Sequence, residues 1–160
     1  MKKQSVPPSV WKNPLHFIAF GFGSGAAPFM PGTFGTLMAI PFYLLMRELP
    51  IVFYLLLTLL FAIFAIWISD RFSKEIKVHD HPGMNIDEFV GYFVTMIAAP
   101  HTWAAVWLGF LLFRIFDIWK PFPISWLDKN VGGGFGMIID DVAAGVVSLI
   151  ILQLIFHFAR

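Results

Sequence analysis

Five carboxylates in this 160-residue chain fall in three short segments: the pair Asp87-Glu88, Asp117 alone, and the pair Asp140-Asp141. Adjacent acids repel one another unless one is protonated or a cation lies between them. Several oxygen donors gathered in one place suit a hard divalent cation, and Mg2+ commonly combines a few carboxylates with water and substrate phosphate oxygens. Arg114, Asp117 and Lys120 recur at i, i+3 and i+6, so two cations and an acid share roughly one helix face. Acids at helix N-termini also complement the macrodipole, by about 0.3–1 kcal/mol each. That simpler account covers Asp87-Glu88 and Asp140-Asp141 if each pair starts a helix, but not Asp117, which the pattern puts near a helix C-terminus. With no cysteine, the chain can form no disulfide, thiolate–zinc site or cysteine–phosphate intermediate.

Two glycine-rich stretches accompany the acids. The first, GFGSGAAPFMPGTFGT at 21–36, offers unshielded backbone N–H groups, the hydroxyls of Ser24, Thr33 and Thr36, and the start of a following helix. Together these make a cradle for an anion. No strand precedes the glycines and no Gly-Lys-Ser/Thr occurs, so neither a dinucleotide fold nor a Walker loop is expected. The second stretch, Val131-Gly132-Gly133-Gly134-Phe135-Gly136, reads as a flexible lead-in to the last helix. The histidines at 16, 79, 81, 101 and 157 show no zinc-binding spacing.

The elements that must position these groups are hydrophobic helices. At 58% hydrophobic and 13% charged residues, the chain lies outside the composition of soluble domains. Apolar runs at about 34–46, 51–69, 89–99, 103–119 and 138–158 predict an all-α, small polytopic membrane bundle of four to five spanning or half-spanning helices. The 89–99 run is short enough for a half-helix, and Ala99-Pro100-His101-Thr102 is a natural tight turn. The competing four-span reading joins 89–119 into one bent helix. A single membrane domain is expected, with 1–16 as an N-terminal cytoplasmic segment read as uncleaved and 17–160 as the bundle.

Basic residues favour the cytoplasmic side. Five helices with the N-terminus inside put Lys2, Lys3, Lys12, Arg71, Lys74, Lys77, Arg114, Lys120 and Lys129 on that side, leaving Arg47 and Arg160 outside. The same topology gathers every acid except Glu48, Asp80 and Asp128 included, at the cytoplasmic end, so the carboxylate cluster is expected there.

Three segments, GFGSGAAPFMPGTFGT, DHPGMNIDEFVGY and FRIFDIWKPFPISWLDKNVGGGFGMIIDDVAAG, together resemble the phosphatidylglycerophosphatase A family in order, spacing and total length, over about residues 17 to 157. The ordered set PGT, DE-x-x-G, FR-x-FD-x-x-KP and DD-x-x-AG carries the resemblance; Asn85 and Ile86 depart from the more apolar lead-in expected before the acidic pair. The resemblance implies a magnesium-dependent lipid phosphatase that converts phosphatidylglycerophosphate to phosphatidylglycerol, active at the cytoplasmic face of the bacterial inner membrane. Carried over by position, PGT falls on Pro31, Gly32 and Thr33, the acidic pair on Asp87 and Glu88, FD-x-x-KP on Asp117 and Lys120, and DD on Asp140 and Asp141.

On this reading Asp87, Glu88, Asp117, Asp140 and Asp141 are catalytic residues that hold Mg2+ directly or through water. Arg114 and Lys120 neutralise phosphate charge during transfer, and Gly23, Ser24, Gly32, Thr33 and Thr36 bind nonreacting phosphate oxygens. The expected partners are the lipid substrate and membrane lipids; a net charge of +1 gives no reason to expect nucleic acid, and no obligate protein partner is inferred. The alternative is a carboxylate-lined transport or ion-conducting protein, because intramembrane acids also mark cation and proton pathways.

Overall fold

Each long apolar run folds as a helix, and the boundaries follow local chemistry. The computed structural model describes residues 5–78 and 81–159; Lys2, Lys3, His79, Asp80 and Arg160 lie outside the described residues. A short helix α1, Pro14–Ala19, is capped by the Asn13 side chain, which accepts from the Leu15 N–H. Then come α2, Pro31–Met46, and α3, Ile51–Ile76, separated by the Arg47-Glu48-Leu49-Pro50 break. Helix α4, Asp87–Thr95, is followed by α5, Trp103–Trp119, whose Thr102 cap accepts from the Ala105 N–H. The chain closes with α6, Ile124–Asn130, and α7, Gly133–Phe158. Among the described residues there is no strand.

Helices α3 and α7 are long and apolar enough to cross a membrane. At 1.5 Å per residue each runs ~39 Å, more than a hydrocarbon core of about 30 Å. Val52, Phe53, Leu56, Leu59, Leu60, Ile63 and Trp67 stay exposed along α3. Such a contiguous apolar face is unfavourable in water and at home against lipid tails. The single bent helix over 89–119 is not what forms, since α4 and α5 are separate helices. Helix α4 has only nine residues, and α2, α3, α5 and α7 all pack on it. Phe89, Val90 and Tyr92 are fully buried, and Tyr54 and Tyr92 donate their phenolic hydrogens to the Phe93 and Val106 carbonyls.

Contacts between helix ends fix their directions. Gly134 at the start of α7 lies on the Ile66 carbonyl and Asp70 late in α3, so these two helices run antiparallel. Gly32 at the start of α2 lies against Glu88 at the start of α4 and Arg114 late in α5. At the opposite end His101 lies 3.6 Å from Glu48, and the Gln153 amide donates to the Ile97 carbonyl. The starts of α2, α4 and α7 and the ends of α3 and α5 therefore share one end of the bundle.

Two boundaries differ from the sequence expectation. The PGTFGT segment, expected to leave its backbone N–H groups unshielded before a helix over about 34–46, is the first turns of α2, with Pro31 at the first helical position where it has no hydrogen bond to forfeit. The second glycine run, read as a flexible lead-in, is helical from Gly133 onward. Glycine opposes helix by roughly 1 kcal/mol per residue, but packing overrides that here: a side chain at Gly134 would strike the Ile66 carbonyl and one at Gly136 the Val131 carbonyl.

Candidate active site

Asp140-Asp141 lie a full two turns inside α7 because that helix begins at Gly133, so the macrodipole does not account for them. Their depth is ~11 Å from the helix start at 1.5 Å per residue. Both are buried, at 5% and 4% exposure. Asp87 and Glu88, by contrast, are the first two residues of α4, and the Glu88 N–H donates to the Asp87 carboxylate. Asp117 and Lys120 come from the end of α5, where Lys120 adopts the left-handed conformation that stops the helix.

These groups line one cavity of ≈ 180 Å³, walled by Asp87, Glu88, Asp117, Lys120, Asp128 and the Asp140-Asp141 pair, with Val131, Gly136 and Met137 closing it. Lys120 is the cation of this wall among the described residues. Its ammonium donates to Asp128 at 2.7 Å and to Asp140 at 2.6 Å. Burial works against its charge, but the bonds to Asp128 and Asp140 outweigh burial and raise its pKa, so Lys120 stays protonated at any working pH. The other Asp140 oxygen, Oδ1, is buried without a hydrogen-bond partner. An unpaired buried carboxylate oxygen is costly, and the residue that carries it lines the cavity.

Behind the wall the acids are tied down. Arg114 Nη1 donates to Glu88 and, at 2.8 Å, to Asp117, all three side chains being nearly buried. Thr36 Oγ1 lies 2.8 Å from Glu88 Oε2. A side chain at Gly32 would strike Glu88 and approach Arg114 Nη1 to 3.2 Å.

Of the residues expected to bind phosphate, Gly32 and Thr36 therefore meet the acid network and not the cavity wall. Thr33 Oγ1 is buried without a partner. Ser24 and Gly23 belong to a turn that stands apart from the wall: Ser24 donates to the Gly21 carbonyl and accepts from Asn85, whose amide also donates to the Pro31 carbonyl. His81 is buried and accepts from the Gly83 N–H, holding the loop before α4.

Sequence reasoning missed two participants. Asn85 joins the first glycine segment to the start of α4, and its polarity, where a more apolar lead-in was expected, was the visible signal. Asp128 reaches the cavity because α6 packs against α7, anchored by the buried Ile124. A seven-residue helix is too short to show a periodicity that would predict this.

The family model described as phosphatidylglycerophosphatase A matches residues 17–156. Phosphatidylglycerophosphatase A of Escherichia coli K12 is 47% identical over 146 residues, covering 91% of this chain and 85% of the relative. The protein of the same name from Haemophilus influenzae Rd is 39% identical, with 88% and 87% covered. A Bacteroides thetaiotaomicron protein provisionally named a phosphatidylinositol-3-phosphatase is 36% identical, with 84% and 89% covered. No solved structure matches the chain.

Proposed function

The chain belongs to the phosphatidylglycerophosphatase A family, and from that premise we infer that it is a lipid phosphatase hydrolysing the terminal phosphate monoester of phosphatidylglycerophosphate. Water adds to phosphorus, the bond from phosphorus to the glycerol oxygen breaks, and that oxygen leaves with a proton as phosphatidylglycerol. The observation that carries the chemistry is the single cavity lined by Asp87, Glu88, Asp117, Asp140 and Asp141 with Lys120 among them. Its ≈ 180 Å³ holds a phosphate group and water, and leaves the acyl chains outside in the hydrocarbon.

An all-oxygen donor set with an unpaired buried Asp140 oxygen fits Mg2+. Among the described residues no three acids or histidines already stand at closed metal-site spacing. Asp87, Glu88, Asp117, Asp140 and Asp141 are the residues that would hold it, directly or through water. Mg2+ supplies charge neutralisation at the phosphoryl group and a more acidic water. The chain supplies the rest: Lys120 binds the phosphate, and a wall carboxylate orients the attacking water and accepts its proton.

Two long apolar helices support a membrane association. We place it in the bacterial inner membrane as a multi-pass protein with the cavity toward the cytoplasm, supported by the basic residues at that end. The transport alternative gains nothing from relatives named for an enzyme. The test is purified protein in mixed micelles with phosphatidylglycerophosphate. Phosphate release should stop with chelator and resume with Mg2+; no release with any divalent cation overturns the assignment.

A further inference from the structure

Arg114 and Thr36 are expected from the sequence to meet the substrate phosphate, yet neither is on the cavity wall. The Arg114 side chain is 12% exposed and bridges Glu88 and Asp117, whose side chains are 9% and 13% exposed. Thr36 is fully buried, and its hydroxyl has one proton to give. Glu88 Oε2 at 2.8 Å is the shorter contact; the Gly32 carbonyl lies at 3.1 Å. Gly32 leaves the space that lets the Glu88 carboxylate and the guanidinium meet, since a side chain there would strike the carboxylate and crowd Arg114 Nη1 at 3.2 Å.

We propose that Thr36 and Arg114 are positioning residues that fix the carboxylates of Glu88 and Asp117 for the cation, leaving the substrate phosphate to Lys120. The inference rests on reading the cavity as the Mg2+-dependent site. Two acids brought together from α4 and α5 repel each other, and a guanidinium between them cancels that repulsion while holding both with directed bonds. A lysine has a single ammonium and no planar fork to span the two acids in this way. Thr36 completes the set from α2, so three helices converge on one carboxylate. Both cations pair with two acids, but Arg114 is 12% exposed and off the cavity wall, whereas Lys120 is 30% exposed and lines it, where a phosphate can reach its ammonium.

The test compares Thr36→Val, Thr36→Ser, Thr36→Ala and Arg114→Lys with the parent protein in detergent. Two quantities are read: the Mg2+ concentration giving half-maximal thermal stabilisation without substrate, and KM and kcat for the lipid. Loss of a partner that orients a metal ligand weakens metal binding about 10–100-fold. Thr36→Val and Arg114→Lys should shift the Mg2+ midpoint by at least about 10-fold, with a smaller effect on KM, and Thr36→Ser should restore it. Thr36→Ala gives the same reading if the valine variant does not fold. A rise in KM with an unmoved Mg2+ midpoint would assign these residues to the phosphate and overturn the proposal. If the parent protein shows neither Mg2+ stabilisation nor phosphate release, the reading of the cavity fails first and takes this inference with it.

Discussion

At the scale of single residues, charge and burial separate the acids by what each can do. Asp141 is 4% exposed, two turns inside α7 and faces the wall that also holds Asp87. An amide at either position keeps the shape and removes the charge. Asp87→Asn and Asp141→Asn should each lower turnover by at least about 100-fold, the scale of losing a general base or a charge held for the transition state. Both should still insert and unfold near the parent temperature, because removing a charge from a crowded acid cluster also relieves repulsion. Phosphate release in micelles, paired with thermal unfolding, checks this; near-parent rates in both variants would remove the carboxylate account. The acids and Lys120 were legible because ionisable groups in apolar sequence are conspicuous. The inward turn of Arg114 and Thr36 was not, since spacing along one helix says nothing about which acid on another helix meets it.

At the scale of elements, the helices were legible and their starts were not. Hydrophobic runs marked α2, α3, α5 and α7, but glycine and proline content concealed that PGTFGT and the Gly133 run are helical, because propensity is local and packing is not. The same packing sets the distance between the two acidic pairs. Gly91 of α4 and Gly145 of α7 face each other: a side chain at Gly145 would lie 2.5 Å from the Gly91 carbonyl, and one at Gly91 would lie 2.9 Å from the Asp141 carbonyl. Alanine ordinarily strengthens a helix interior relative to glycine by about 1 kcal/mol. At Gly145 the obstacle is backbone, which cannot swing aside, so overpacking should dominate and cost about 1–3 kcal/mol. Gly145→Ala should therefore lower both the unfolding temperature and turnover, by parting α4 from α7 and Asp87-Glu88 from Asp140-Asp141. Unfolding in detergent and phosphate release measure the two effects; a more stable, fully active variant would show that the contact has room to spare.

At the scale of the whole molecule, the fold places its polar chemistry at one end. The His16 ring bonds Glu75 near the end of α3, which brings the N-terminal segment to the same end as the cavity. Lys12, Arg71, Lys74, Lys77, Arg114, Lys120 and Lys129 lie toward that end, while Arg47 pairs with Glu48 at the other. On the proposed placement, the excess of cations at the cavity end favours that end in the cytoplasm. A substrate whose tails stay in the inner leaflet can then reach a cavity ~11 Å below the start of α7 without leaving the bilayer. Having no cysteine, the chain accepts single reporters without removal of native thiols. A cysteine replacing the exposed Lys129 should be protected from a membrane-impermeant thiol reagent in intact cells and labelled in inverted vesicles. A cysteine replacing His101, half exposed beside Glu48, should label in intact cells. The reverse pattern would turn the bundle over and put phosphate release on the outer face. Labelling at both positions from the same side would contradict the helix directions themselves, because His101 and Lys129 lie at opposite ends of the α5–α6 unit.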